Sequence, residues 1–368
     1  MLADPVAESA RRRIARMCRS GLDAPALLRE LAASVHPVVG YDGAAWATTD
    51  PATLLVTGAH VEGLPRESAP AFYENEYLHD DVNKFSSLAR GVRPVATLSE
   101  ATGGDLSRSR LYRELAPVFG FRGDALRAAF VSGRTCWGAV ALVRRDPRAP
   151  FTQADVSFVA SVGAFVAEGL RAAVLLDALR PPAPGASAGS GSPGLVILDG
   201  ARVRSASASA ETWLDELGTD GGARRGERLH SGLLAVAAAV GRAGEGDEPA
   251  AARTVLRTRA GRWVSLQGVR LESAAGSPEV AVILDTARPP ELAAAVMTAY
   301  GLSPREREVA QGVISGGSTA EVAGALHISP YTVQDHLKSV FDKVGVRSRG
   351  ELTKRVFDRH YAATGPLV

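Results

Sequence analysis

The 368-residue sequence has only two cysteines, Cys18 and Cys136. Two thiols exclude a disulfide framework and a multi-cysteine zinc site, and they fit a protein kept in a reducing compartment. Metal-ligand spacings are missing as well. His36, His60 and His79 each stand alone, with no Glu-x-x-His or His-x-x-x-His pair. His79-Asp80-Asp81 offers three donors in a row, but Phe85 and Leu88 just beyond mark a loop leading into a helix. No serine lies in a Gly-x-Ser-x-Gly turn, and neither cysteine has a local nucleophile signature. The expectation is therefore no catalytic residue, no metal, no cofactor and no enzyme activity. A dominant sign of charge is absent too: 42 Lys and Arg face 40 Asp and Glu, a net charge of +2, so the whole molecule is no polycation. Long apolar runs are interrupted. Residues 158–179 are broken by Glu168, Arg171 and Asp177, which argues against a membrane span. Arg11-Arg12-Arg13 is not followed by an apolar run of signal-peptide length, so export is not expected. These absences together imply a cytoplasmic protein without a membrane partner.

What is present is a chain long enough for two or three domains. Apolar residues make up 46% and charged residues 22%, the balance of a globular protein rather than a disordered one. The most informative stretch is 303–352. Ser303-Pro304-Arg305-Glu306 places a hydroxyl at a helix N-cap, proline at the first helical position and a carboxylate three residues on. Ser318-x-x-Glu321 and Ser348-x-x-Glu351 repeat the box, and Ser329-Pro330 supplies a cap and proline without the acid. Apolar positions follow helical spacing: Val309, Val313 and Ile314; Val322, Ala325 and Leu326; then Val333, Leu337, Val340 and Val344. Only His327, Ile328 and Ser329 separate Leu326 from Pro330. The spacing predicts four short helices, the second and third joined by a tight turn, which suits a helix-turn-helix reader of the major groove.

The segments LSPREREV, EVAGALHIS and TVQDHLKSVFDKVGVRSRGEL resemble the DNA-binding domain of LuxR-type (LuxR/FixJ) transcription regulators, in order and across all four helices. The resemblance implies a sequence-specific, dimeric regulator that binds double-stranded DNA. It also implies base-facing positions at Gln334, Asp335 and Lys338, with Thr332 and Ser339 at the edge of the groove. By their chemistry Gln can bond an adenine edge, Lys a guanine edge and Asp the cytosine amino group. Phosphates are expected at helix N-termini, near Ser318, Thr319, Tyr331 and Thr332, with Lys343 and Arg347 adding charge. The family often has Lys where Gln334 stands, and Asn-Lys where this chain has Thr319-Ala320. Both departures remove positive charge. Within 303–361 nine Lys and Arg face seven Asp and Glu, so any nucleic-acid footprint must be a local stripe.

Upstream, residues 1–20 form a basic amphipathic helix whose arginines read as a solvated face. Residues 21–180 alternate helical and strand-like stretches. Residues 24–35 carry Leu27, Leu28, Leu31 and Val35 at helical spacing, and 72–78 and 111–119 are helical by the same test. Residues 44–47 and 53–57 read as strands around Asp50-Pro51; 125–131 and 136–143 read as a hairpin around Ser132-Gly133-Arg134. A long helix follows, with Thr152 as N-cap and Asp155 completing the box. A central antiparallel sheet flanked by helices is the natural solution, and the order resembles a GAF domain. Residues 181–194 are rich in Pro, Gly, Ser and Ala and read as a flexible linker. Gly189-x-Gly191-x-x-Gly194 formally matches a dinucleotide fingerprint, but it follows prolines and precedes a strand, the reverse of what that site requires. Residues 195–288 open with a strand, an Asp199-Gly200 turn, a second strand and a helix, which resembles a PAS domain; the common asparagine is replaced by nearby Ser207. A connector, 289–302, leads to the DNA-binding domain at 303–361.

The expected architecture is thus two α+β sensory domains, GAF-like over 1–180 and PAS-like over 195–288, followed by an all-α four-helix LuxR-type domain. A phosphorylated receiver domain does not fit, because residues 1–120 lack its ordered acidic pair, phosphoacceptor Asp and later Lys. A ligand or partner at the N-terminal domains is the expected input; for a small-molecule effector, Trp46, Phe72, Tyr73, Tyr77, Phe85, Phe130 and Trp137 are the candidate lining of its pocket, and packing of the core would account for the same aromatics. Tyr73-x-x-x-Tyr77-x-x-Asp80-Asp81-Val82, with Trp46 upstream, loosely resembles the acyl-homoserine-lactone pocket of quorum-sensing members, although the tryptophan expected soon after Pro94 is missing. The alternative is that the N-terminal domains serve only dimerisation or protein–protein contact. The helix from Thr152 to Ala178 carries a wide apolar stripe, too long for a small domain to cover, and is expected to pair with its copy in a homodimer.

Overall fold

The computed structural model describes residues 5–180, 192–200, 202–218, 229–240, 252–271 and 279–358. Two helices open it, α1 (Pro5–Met17) and α2 (Ala24–Val39), the second capped by the Asp23 carboxylate, which accepts from the Ala26 N–H at 2.9 Å. The first sheet follows: β1 (Gly43–Thr49), β2 (Val56–Glu62), β3 (Val95–Thr97), β4 (Ala125–Ser132) and β5 (Thr135–Val143). Its strands lie antiparallel in the order β2-β1-β5-β4-β3. Four short helices, α3 (Ala69–Tyr77), α4 (Phe85–Arg90), α5 (Leu98–Thr102) and α6 (Arg110–Phe119), connect β2 to β4. The long helix α7 (Gln153–Leu179) then crosses the opposite face, its start fixed by both halves of the Thr152–Asp155 capping box.

Strand periodicity sorts the side chains. Ala44, Trp46, Ala128, Phe130, Val140 and Leu142 point to the side covered by α1, α2 and α7; Ala129, Cys136, Ala139 and Ala141 point to the side covered by α4. Most of the stripe on α7 is covered within the chain: by the sheet, by α1 and the Cys18 that follows it, which an added Cβ at Gly169 would approach to 2.9 Å, and by α2. The small domain does not cover the whole stripe: its end packs on Leu292 and Val296 of the connector, and Leu176 stays 40% exposed. Residues 153–178 also have the length and apolarity of a membrane span despite their charges, but here they form the central packing helix of the first sheet.

The second sheet is laid out like the first: β6 (Gly194–Asp199), β7 (Arg202–Ala206), β8 (Arg253–Arg257), β9 (Trp263–Leu271) and β10 (Glu279–Thr286), antiparallel in the order β7-β6-β10-β9-β8. Its inner face packs on α8 (Ala208–Leu217) and α9 (Ser231–Val240). The strand, Asp199-Gly200 turn, strand and helix predicted for its opening are all present, and Ser207 serves as the N-cap of α8. Helix α9 was not anticipated: SGLLAVAAAV has no charge and no amphipathic period, because nearly every side is buried between the two sheets. The linker read over 181–194 lies outside the described residues up to 191. Strand β2 begins three residues later than the predicted 53–57 strand, since the Asp50 carboxylate accepts from the Ala52 and Thr53 N–H groups and closes a turn there.

Helix α10 (Pro289–Ala299) leads into α11 (Pro304–Ile314), α12 (Thr319–Leu326), α13 (Pro330–Val344) and α14 (Arg349–Thr353). It is buried on two sides, with Leu292 and Val296 against α7 and Trp263, and Ala293 and Met297 in the core built by α11, α13 and α14. The architecture is α+β with two antiparallel sheets of matching strand order, followed by an all-α unit.

Candidate nucleic-acid interface

The four predicted C-terminal helices form with their predicted caps. Ser303, Ser318, Ser329 and Ser348 each accept a hydrogen bond from the N–H three residues on. Glu306 and Glu321 return the bond to the N–H of Ser303 and Ser318, completing two boxes. Glu351 reaches one residue further back, to the Arg347 N–H at 2.8 Å, so the third box closes in altered form. Between α12 and α13, His327 adopts a left-handed conformation (φ 53°), and Ile328 drops back onto Val309, Val322 and Val333. Gly312 permits this packing, since an added Cβ would lie 2.8 Å from a Val322 methyl.

Helix α13 buries Val333, Leu337, Val340 and Val344 and turns its other side outward. Gln334, Asp335 and Lys338 are exposed, and among the described residues none of them has a hydrogen bond or ion pair. Tyr331 is also exposed, at 72%. The neighbouring candidates are held differently. The Ser339 hydroxyl donates to Glu306 Oε1 at 2.6 Å, and Lys343 Nζ lies 2.9 and 2.7 Å from the two Glu306 oxygens. The Thr332 hydroxyl is 2.8 Å from that of Ser329, and the Thr319 hydroxyl accepts from Arg349, which also bonds the Gly317 carbonyl. Ser318 is engaged in its cap, and the Arg347 side chain is exposed. Of the ten candidates, Gln334, Asp335 and Lys338 form an outward trio on α13, Tyr331 and Arg347 are exposed as well, and the other five also hold the bundle together.

Glu306 was legible only as a capping residue. Its second role, a buried carboxylate gripping α13, depends on residues 33 and 37 positions away. Burial opposes its charged form, but the Lys343 ammonium, the Ser339 hydroxyl and the Ser303 N–H outweigh that and hold its pKa down at about 2. Arg349 was likewise missed, for its partners lie on the far side of the α12 cap.

The seven aromatics do not share one wall. Trp46 and Phe130 stack with ring centres 6.0 Å apart in the core beneath α7, where Trp137 also lies. Phe72 and Phe85 are on the other side of the sheet, around the Arg127 guanidinium, which pairs with buried Glu76 at 2.5 Å. Tyr73 and Tyr77 pack against the second sheet's core, and the Tyr77 hydroxyl accepts from the Val56 N–H at 2.9 Å. The single-pocket expectation is corrected: the sheet separates these rings, since β-strand alternation sends Trp46 and Phe130 one way while α3 and α4 cover the other. Asp81, a candidate metal donor, accepts from Ser109 and from the Leu111 and Val82 N–H groups.

A three-residue turn joins α12 to a half-exposed α13 on a buried four-helix core, and this defines a helix-turn-helix unit. Residues 301–356 match the model for bacterial regulatory proteins of the luxR family. Spore germination protein GerE of Bacillus subtilis (strain 168) is 38% identical over 50 residues, 14% of this chain and 68% of that protein. The chain belongs to the luxR family of bacterial regulatory proteins. Transcriptional regulatory protein UhpA of Escherichia coli (strain K12) is 40% identical over 57 residues, but the match spans 29% of that protein's length. Among solved structures, SdiA in complex with octanoyl-rac-glycerol is 13% identical over 99% of this chain and 98% of that one, with a TM-score of 0.36. The phycoerythrobilin-bound GAF domain of a cyanobacterial phytochrome is 15% identical over 46% of this chain and 96% of its own, with a TM-score of 0.33. At those scores neither likeness decides anything about this chain.

Proposed function

We propose that this protein is a sequence-specific, DNA-binding transcription regulator that acts as a homodimer. The observation that carries the reading is the unpartnered trio Gln334, Asp335 and Lys338 on the first half of α13. Amide, carboxylate and ammonium groups on one helical face suit base edges of the major groove. Amides at the starts of α12 and α13 suit phosphates, with the Ser318 and Thr319 hydroxyls still able to donate outward. Lys343 serves first as the partner of Glu306, and Arg347 adds a free cation. One such module buries too little surface for firm specific binding, which is the argument for two copies.

The N-terminal residues, 1–180 and 195–288, form the sensory part, and an effector there shifts the population of the DNA-competent dimer. Helix α10, buried against both α7 and the DNA-binding core, is the physical link between them. Footprinting on genomic fragments tests the DNA reading: a protected, sequence-defined site is expected, and uniform weak retention of all fragments would refute it. Melting the full chain in the presence of metabolite extracts tests the effector, because a ligand that binds only the folded state raises the melting temperature.

A further inference from the structure

A cleft of about 1620 Å³ lies where the first sheet, the second sheet and the connector meet. That is roomy for a small molecule, since such sites usually hold some 300–1,000 Å³. The polar groups at one end of it form a chain. The Ser132 hydroxyl donates to Glu168, and Arg171 donates to the same carboxylate at 2.6 and 2.9 Å. Arg171 also donates to the Ala299 carbonyl at 2.6 Å, in the last turn of α10. From the DNA-binding side, Arg307 of α11 donates to the Thr298 hydroxyl and the Leu302 carbonyl, both at 3.2 Å, and meets no carboxylate among the described residues. Arg134, on the turn between β4 and β5, lines the same cleft and has no hydrogen bond or ion pair among the described residues.

Arg134, Arg171 and Arg307 share a wall that bears seven arginines against five carboxylates, Asp23, Asp50, Glu168, Asp177 and Glu291, beside the N-terminus of the 11-residue helix α11. A second observation is independent of charge. Trp137, also on the cleft wall, is 2% exposed and has an indole N–H without an acceptor. A buried donor without a partner is costly, and a ligand oxygen relieves it.

We propose that this cleft binds a compact anion bearing carboxylate or phosphate oxygens, held by Arg134, Arg171 and Arg307. The proposal rests on the reading that an effector acts on the N-terminal part, and it places that effector between domains rather than among the aromatics. An anion there ties the β4–β5 turn and α7 to α11, across the end of α10, so occupancy favours one placement of the DNA-binding helices.

The probes are citrate and inorganic phosphate, with glycerol as the neutral control, followed by tryptophan fluorescence and melting of the full chain. Arg134→Ser is the variant, because that side chain holds no other part of the fold. Expected is a saturable response to citrate or phosphate, absent with glycerol, and about tenfold weaker in Arg134→Ser, the effect of one charge-assisted contact. A response to citrate alone assigns the carboxylate, and to phosphate alone the phosphate. An extract that raises the melting temperature in wild type and not in Arg134→Ser also supports the cleft. No saturable response to either probe, together with an extract shift equal in wild type and Arg134→Ser, overturns it while leaving effector control in place elsewhere. No shift by probe or extract overturns both.

Discussion

The first sheet and the C-terminal bundle dispose of their polar groups in opposite ways. In the sheet, Arg127 and Glu76 are buried as a pair beneath two phenylalanine rings, and the aromatic side chains that looked like a binding pocket are packed on both faces. In the bundle, one buried carboxylate, Glu306, binds α11 to α13, and three polar side chains on the outer face of α13 have no partner among the described residues. Rings in a core cost nothing to keep and say little about ligands. A row of unpartnered polar groups on a rigid, capped helix has no packing role, and that is why it is the better marker of a surface that meets something else.

The comparison can be broken first at Glu306. Glu306→Ala leaves the Ser303 N–H, the Ser339 hydroxyl and the Lys343 ammonium without their acceptor, and should cost about 2–3 kcal/mol in denaturant melts. A loss below 0.5 kcal/mol would make the carboxylate incidental. The pH dependence carries a definite sign. Because the folded pKa lies below the unfolded one, the stabilisation is complete above about pH 4.5 and is lost as pH falls through about 2. Glu306→Gln should flatten that acid limb.

Gly312→Ala comes next, at about 1–3 kcal/mol, since its Cβ would press on Val322. The pair Gly312→Ala with Val322→Ala should be less unstable than the sum of the two single changes. Strict additivity would show that the helices do not touch there. Tyr77→Phe, which removes the acceptor of the Val56 N–H at the junction of the two sheets, should cost about 1–2 kcal/mol. If it is silent, that hydroxyl does not fasten the junction.

Lys338 and Lys343 give the finest contrast. Lys343→Ala should lower stability by about 1 kcal/mol through Glu306, whereas Lys338→Ala should leave the melting curve within about 0.5 kcal/mol of wild type. Equal effects would erase the distinction between the tied and the free side chains.

The bundle was legible because its signals are local. Three of the four caps lie three residues from an acid, and the apolar spacing of Val333, Leu337, Val340 and Val344 alone gives the buried face of α13. The side chains free for DNA were not separable from those tied to Glu306 by the same means: Ser339 and Lys343 look as exposed as Lys338 until α11 is placed beside them. In the first sheet the strands at 44–47, 53–57, 125–131 and 136–143 were found within a few residues, but β3 was missed because three residues carry no period, and α9 because it is buried nearly all round. The pairing of distant strands, and with it the separation of Trp46 from Phe72 by the sheet, depends on contacts far apart in sequence. The same holds for the cleft.

The central claim is that the outward half of α13 reads DNA, and a gel shift on a footprinted site with Lys338→Ala tests it most directly. Loss of about 1–3 kcal/mol of specific binding is expected, tenfold or more, with an unaltered circular dichroism spectrum and a folded bundle. Unchanged affinity and unchanged sequence preference in the Lys338→Ala protein would contradict the account.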